Sequence, residues 1–227
     1  MREILSNEQF DRIAADHFML FARRQKVARL MALEELFKLS ANIKGQIVEC
    51  GVHIGGGVMS WLHLSSILEP YGYHRSIIGF DTFEGFPSVR QQDLAGVQIA
   101  GDFNEPWDTK MVLDAAISKA DSDRPLGSIS KVHLVVGDAN VTIPKYVTEN
   151  PELMISLLYL DFDIYEPTVT ALKHLVPRMP KGAVLAFDEL NNSHWPGETQ
   201  ALIESSIWPL KVKTFTYEPN ISYALIE

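Results

Sequence analysis

Ile47-Val48-Glu49-Cys50-Gly51-Val52-His53-Ile54-Gly55-Gly56-Gly57 is the stretch that decides the fold. A short apolar run leads into a glycine-rich turn, and the helical pattern of residues 57–68 follows directly. Glycines at such a turn let backbone approach a ligand closely. A strand, a tight turn and a helix in that order are the opening of a βαβ unit. The spacing is not G-x-G-x-x-G, so the dinucleotide fingerprint is absent. Glu49, Gly51 and Gly55 instead follow E-x-G-x-x-x-G, a spacing that can serve a bound ligand. Taken alone, a plain tight turn accounts for it equally well.

Outward from this stretch the same alternation repeats. Apolar runs predict strands at Ile47–Gly51, Ser76–Asp81, Val132–Val136, Leu157–Asp161 and Ala183–Asp188. Helices are predicted at 57–68, 107–119, 143–149, 167–177 and 197–205. Two closing strands, Lys211–Tyr217 and Ser222–Ile226, flank the turn signal Pro219-Asn220. Strands this apolar are expected where helices cover both sheet faces. The reading is a doubly wound α/β domain over 41–227, with a mostly parallel seven-stranded sheet and an antiparallel edge. Before it, residues 8–38 carry Phe18, Leu20, Phe21, Val27, Leu30, Met31, Leu33, Leu36 and Phe37 at helical spacing without Pro or Gly. Residues 1–40 are therefore expected to be a helical extension that packs on the domain edge or forms an oligomer contact. Arg23-Arg24-Gln25-Lys26 reads as a solvated helix face. The irregular segment 87–106 is expected to act as a lid.

Bulk properties narrow the partners. A net charge of −9 and a pI near 5.3 oppose nucleic-acid or anionic-membrane binding, both of which need clustered Lys and Arg. Cys50 is the single cysteine, so no disulfide framework forms within the chain. Glu3, Glu8 and Asp11 replace the basic stretch of a signal peptide. No apolar run approaches the ~20 residues that span a bilayer. The expected compartment is the cytoplasm.

Doubly wound sheets bind ligands beyond the carboxyl ends of their strands, and here those ends carry acids. Asp81 ends the second strand, before Thr82-Phe83-Glu84-Gly85, where a carboxylate can accept from both ribose hydroxyls of a nucleoside; capping the turn is its other reading. Gly137-Asp138 follows the third, where a carboxylate suits an adenine amino group. Three strand ends thus agree on one adenosyl ligand. Asp161 ends the fourth strand and Asp188-Glu189 the fifth. Carboxylates gathered at one point raise each other's pKa unless a positive charge sits among them. The sequence around both sites offers no basic neighbour nearer than Lys181, at the far end of the fifth strand. Oxygen ligands suit Mg²⁺, Mn²⁺ or Ca²⁺. Pairing with Arg or Lys, or helix capping, is the competing reading. Asp161 and His194 are the candidate proton acceptors for a bound hydroxyl. His53 and His133 read as structural.

On these residues the chain resembles the macrocin and mycinamicin sugar O-methyltransferases, and within them the antibiotic-pathway deoxysugar (rhamnose) branch. The resemblance spans roughly residues 27–200. It rests on Val48-Glu49-Cys50-Gly51-Val52, Gly79-Phe80-Asp81-Thr82-Phe83-Glu84-Gly85-Phe86-Pro87, and Gly137-Asp138 with Thr142-Ile143-Pro144. Leu160-Asp161-Phe162-Asp163-Ile164-Tyr165-Glu166-Pro167-Thr168, Ala186-Phe187-Asp188-Glu189-Leu190 and Trp195-Pro196-Gly197-Glu198 complete it. It implies a class I methyltransferase (Rossmann-like) fold, with S-adenosylmethionine at Glu49, Gly51, Gly55, Asp81, Thr82, Phe83, Gly137 and Asp138. It further implies Mg²⁺ at Asp161, Asp188 and Glu189, and a sugar-bearing small-molecule acceptor. Family members have aspartate where Glu189 stands, so this ligand is one methylene longer. A homo-oligomer is expected. A nicotinamide-dependent oxidoreductase is opposed by the glycine spacing. A non-catalytic nucleoside- or sugar-binding protein is opposed by three acids at one point.

Overall fold

The computed structural model describes residues 6–93 and 103–227. Among these residues the strands are β1 (Gln46–Cys50), β2 (Ile77–Asp81), β3 (Val132–Val136), β4 (Ile155–Leu160), β5 (Val184–Phe187), β6 (Lys213–Thr214) and β7 (Ser222–Leu225). The helices are α1 (Asn7–Asp16), α2 (Arg24–Ser40), α3 (Gly56–Leu68), α4 (Thr109–Asp123), α5 (Ala139–Glu149), α6 (Tyr165–Leu175) and α7 (Pro196–Glu204). One sheet runs in the order β3-β2-β1-β4-β5-β7-β6. β1 to β5 are mutually parallel, and β7 pairs antiparallel with both β5 and β6. The mostly parallel sheet with an antiparallel edge is therefore present as expected.

Strand side chains alternate between the two faces, as a period of two requires. Ile47, Leu157 and Tyr159 pack into one core with Leu33, Phe37, Trp61 and Leu113 of α2, α3 and α4. Val48, Leu158 and Leu160 pack into the other with Ile143, Leu172, Leu175 and Leu202 of α5, α6 and α7. Beneath the amino ends of the strands, the buried Arg75 guanidinium donates to the carbonyls of Ser40, Ala41 and Ile43 and to Ser156 Oγ. This joins the end of α2 to the sheet.

Several boundaries differ from expectation, three of them in ways that matter for the site or the core. The N-terminal helix is two helices, broken over residues 17–23 by a single 3₁₀ turn at Phe18–Leu20. Phe10 folds back on Phe21 with ring centroids 5.1 Å apart, which gives the break its packing. α5 begins at Ala139, four residues early, because Asp138 caps it by accepting from the Asn140 N–H at 2.9 Å. β6 keeps only Lys213 and Thr214 of the expected seven residues. α2 is no detachable appendage, since Ala32, Leu33, Leu36 and Phe37 are all buried in the core.

Candidate active site

Strand order reverses between β1 and β4, because β2 and β3 lie on one side of β1 while β4 and β5 lie on the other. A crevice opens at the carboxyl ends of strands at such a switch point. Here it is a cavity of about 760 Å³, toward the upper end of the ~300–1,000 Å³ typical of small-molecule sites. Its wall contains Glu49, Gly51, Asp81, Thr82, Phe83, Gly137, Asp138, Asp161, Asp188 and Glu189. Of the residues expected at the site, Gly55 and His194 are not in this wall.

Each expected residue of the first half has a local geometric role. Asp81 Oδ2 accepts from the N–H groups of Val52 and His53 at 2.6 and 2.8 Å, and Oδ1 accepts from Phe83 N–H at 2.6 Å. Asp81 thus ties the turn after β1 to the turn after β2. Thr82 Oγ1 donates to the Gly85 carbonyl. Glu49 is buried under the first turn of α3 and accepts from Trp61 Nε1–H at 2.6 Å. Burial pushes its pKa up to about 8, against the lowering effect of the Trp61 hydrogen bond. A Cβ at Gly57 would lie 2.4 Å from both Glu49 oxygens, so any other residue there would displace that carboxylate. Gly55 holds a positive φ of 96° at the start of α3.

The second half is governed by a residue absent from the expected set. Arg29, from α2, donates through Nη1 to Asp188 Oδ1 at 2.7 Å. Its Nη2 donates to Asp161 Oδ2 and to the Tyr159 hydroxyl, both at 2.9 Å. Tyr159 in turn donates to Asp188 Oδ1 at 2.7 Å. The competing expectation, that these acids pair with Arg or Lys, is the arrangement present, although no basic residue neighbours them in sequence. The neutralising charge comes from 132 residues away in sequence. Burial works against the Arg29 charge, but Tyr159, Asp188 and Asp161 outweigh it and raise the guanidinium pKa.

One arginine does not balance what surrounds it. Asp161 is pushed well above the usual carboxylate range by burial and then by the Asp188 charge. Asp163, at a left-handed φ of 62°, is pushed up to about 8 by burial and by Asp188 and Glu189. Glu189 is raised chiefly by burial, and its Oε2 accepts from the Asn192 side chain. Glu198 is buried, accepts the Glu189 N–H at 2.8 Å through Oε2, and is raised well above its ordinary value by burial. Asp163 and Glu198 were not expected at the site. Asp163 sits inside the quoted Asp161-Phe162-Asp163 run, so the sequence did contain its signal.

A divalent cation can be tested against this donor set. Carboxylate oxygens are the right kind for a hard ion, and Asp161 and Asp188 converge on a single positive group. Glu189 is not gathered with them: among the described residues no three His, Cys, Asp or Glu side chains form a group that could hold a metal ion. Two of the three expected ligands fit together and the third stands apart.

His194 is exposed, its backbone N–H donating to Asn192 Oδ1; its neighbour Trp195 lines the cavity instead. His53 is also in the wall, its Nε2 3.2 Å from Glu105 Oε1 and its ring edge-on to Phe103. Phe103 further contacts Phe86 and Trp195, which makes an aromatic rim. Lys26, Arg29, Leu30 and Leu33 give one face of α2 to the cavity at spacings of three, four and seven. The residues read as a solvated face, 23–26, are exposed, yet Lys26 also borders the site. Of the segment expected to form a lid, residues 94–102 lie outside the described residues.

Fold and cavity together are those of a class I methyltransferase, and the comparisons agree. The macrocin O-methyltransferase family matches residues 9–201, so the chain belongs to that family of S-adenosylmethionine-dependent O-methyltransferases. It is 26% identical over 198 residues to the demethyldecarbamoylnovobiocin O-methyltransferase of Streptomyces niveus, covering 83% of this chain and 68% of that protein. It is similar to the solved calicheamicin methyltransferase CalS11, with a TM-score of 0.90 and 32% identity over 95% of this chain and 85% of the other. NovP, at a TM-score of 0.63 and 19% identity, covering 88% of this chain and 80% of its own, shares the fold. Among the described residues no helix is long and apolar enough to cross a membrane.

Proposed function

We propose that this protein transfers the methyl group of S-adenosylmethionine to a hydroxyl of a sugar, carried as a deoxysugar, glycoside or nucleotide sugar, in natural-product biosynthesis. The observation that carries the reading is a single cavity joining the turns of β1, β2 and β3 to the carboxylates of β4 and β5. The similar CalS11 is described as a TDP-rhamnose 3'-O-methyltransferase, which supports a sugar acceptor.

Glu49, Gly51, Gly55, Asp81, Thr82, Phe83, Gly137 and Asp138 are the residues proposed to hold or shape the donor half. Asp81 has lone pairs left for ribose hydroxyls after its three N–H bonds, and Asp138 retains one oxygen beyond its helix cap. The acceptor half follows. Methyl transfer is an in-line displacement, so the acceptor oxygen must be held against the sulfonium methyl and lose its proton. Asp161 is the proposed base: Arg29 holds Oδ2, which leaves Oδ1 to face the hydroxyl. While Arg29 keeps it ionised, a carboxylate with a raised pKa is a stronger proton acceptor than an exposed one. His194, exposed and outside the cavity wall, is the weaker candidate. Asp161 and Asp188 are the carboxylates that would hold Mg²⁺, Mn²⁺ or Ca²⁺, with Glu189 standing apart from them, and such an ion would supply polarisation of the acceptor hydroxyl. The exposed Phe18, Met19 and Leu20 support a homo-oligomer, which light scattering tests.

The deciding experiment is incubation with isotopically labelled methyl donor and a panel of nucleotide sugars and glycosides. Label transferred to a sugar oxygen is the expected result. Label transfer only to non-sugar phenols would replace the acceptor class.

A further inference from the structure

Neither the donor turns nor the carboxylates account for the aromatic rim of the cavity. Phe86, Phe103, Trp195 and His53 all line it. His53 comes from the turn after β1, Phe86 and Phe103 from the connection after β2, and Trp195 from the loop after β5. In the sheet, β1 and β4 stand between β2 and β5. The rings that follow β2 therefore meet the ring that follows β5 across the switch point, where Asp161 lies.

Three of the four ring contacts are edge-to-face, the arrangement that ring quadrupoles favour. His53 meets Phe103 at 5.4 Å and 73°, and Phe86 meets Phe103 at 5.2 Å and 75° and Trp195 at 6.1 Å and 70°. Phe103 and Trp195 differ, at 5.8 Å and 38°. That pair is an open wedge, and Phe103 remains 46% exposed. Apolar rings gain by leaving water, so the wedge suits an apolar occupant. It offers little to sugar hydroxyls, because His53, the one polar side chain of the four, has its Nε2 3.2 Å from Glu105. The adenine of the donor is a poor match, since Asp138 would hold it at the end of β3, three strands away from β5.

We infer that the rim is a subsite for a flat aromatic ring joined to the acceptor sugar, with Trp195 and Phe103 as its specificity-determining residues. This rests on reading the acceptor as a sugar. The sugar is then recognised at two points: its hydroxyl at the carboxylates of β4 and β5, and its attached ring in the wedge. A nucleobase of a nucleotide sugar and an aryl aglycone of a glycoside share that chemistry.

The test is calorimetry on the full-length protein loaded with S-adenosylhomocysteine, using p-nitrophenyl and methyl glycosides of the same deoxysugars. Wild type is compared with Trp195→Leu and Phe103→Leu, which keep an apolar side chain and remove the ring. Phe103, nearly half exposed, keeps the test open should the Trp195 variant fail to fold. The wild type should bind each aryl glycoside about tenfold more tightly than its methyl partner, the worth of one stacked ring. The variants should lose most of that ratio while melting temperature and S-adenosylmethionine affinity hold. A ratio near one in the wild type, or a ratio that survives in the folded variants, overturns the subsite and leaves sugar methylation standing. Weaker donor binding with an unchanged ratio gives the rim to the donor and overturns it as well. If no glycoside or nucleotide sugar binds, the sugar reading falls together with the subsite. The thymidine diphosphate ester of the same sugar separates the two sources. Binding tighter than the aryl glycoside and weakened by both substitutions assigns the ring to a nucleobase, and weaker binding assigns it to an aglycone.

Discussion

Two arginines mark the two ends of this sheet, and their partners differ in kind. Arg75, beneath the amino ends, is almost wholly buried and donates mainly to neutral oxygens, with Glu69 Oε2 3.2 Å from its Nε. Arg29, over the carboxyl ends, is a quarter exposed and donates to two carboxylates and a phenol. A guanidinium among carbonyls ties loop ends to the sheet, which is a structural role. A guanidinium among an excess of acids is held by charge that a ligand can also answer. One end of the sheet is fixed, and the other is left adjustable.

The largest effect expected from this contrast is on stability. Arg75→Met removes the donor to the Ala41 and Ile43 carbonyls and leaves Glu69 without its nearest cation, so it should cost about 3–5 kcal/mol of unfolding free energy. Arg29→Gln should cost much less, because Asp161 is poised to take up a proton. Denaturant unfolding of the two variants measures this, and a larger loss at Arg29 would reverse the comparison. Next comes catalysis. Asp161→Asn should lower kcat/KM by roughly 10²–10⁴ while the melting temperature holds, since a buried negative charge is removed. Equal losses of activity and folding would make Asp161 structural.

Asp81 lies between the two extremes, serving both backbone and ligand. Asp81→Asn should weaken donor binding by about ten- to a hundredfold, the worth of roughly 1.5–3 kcal/mol for a hydrogen bond to charge. It should also lower the melting temperature, through the Val52, His53 and Phe83 N–H groups it serves. Calorimetry showing unchanged donor affinity would confine Asp81 to the turn. The smallest effect concerns pH. Glu49 has a folded pKa pushed up to about 8, above its unfolded value, so its protonated form favours folding. The stability it contributes is complete below pH ~4 and is lost as pH rises toward 8. Glu49→Gln should flatten the decline in unfolding free energy between about pH 5 and 8. A slope unchanged in that variant would place the titration elsewhere.

The sequence made the strand ends legible because period, glycine spacing and terminal acids all reinforce one another locally. Asp81, Asp138, Asp161 and Asp188 were found that way. Arg29 is not legible that way, because its partners lie 132 and 159 residues away and only the folded chain brings α2 across the end of β4. Its signal was the face formed by Lys26, Arg29, Leu30 and Leu33, which helical spacing does contain. The α5 start was missed because Asp138 was read for one task when it performs a capping task too. The break between α1 and α2 carries no Pro or Gly and arises from a contact between two phenylalanines.

Gly51 carries one more consequence. A Cβ at this position would sit 1.9 Å from the Asp161 carbonyl oxygen, so the backbone after β1 presses directly on the backbone after β4. The Asp161 N–H also donates to the Cys50 carbonyl at 2.7 Å. The turn proposed for the donor and the residue proposed as base therefore meet in one joint whose spacing is set by main chain. Descendants of this chain can change acceptor by altering α2, the aromatic rim or the loop after β5. Any side chain at Gly51 would push the proposed donor turn and the proposed base apart.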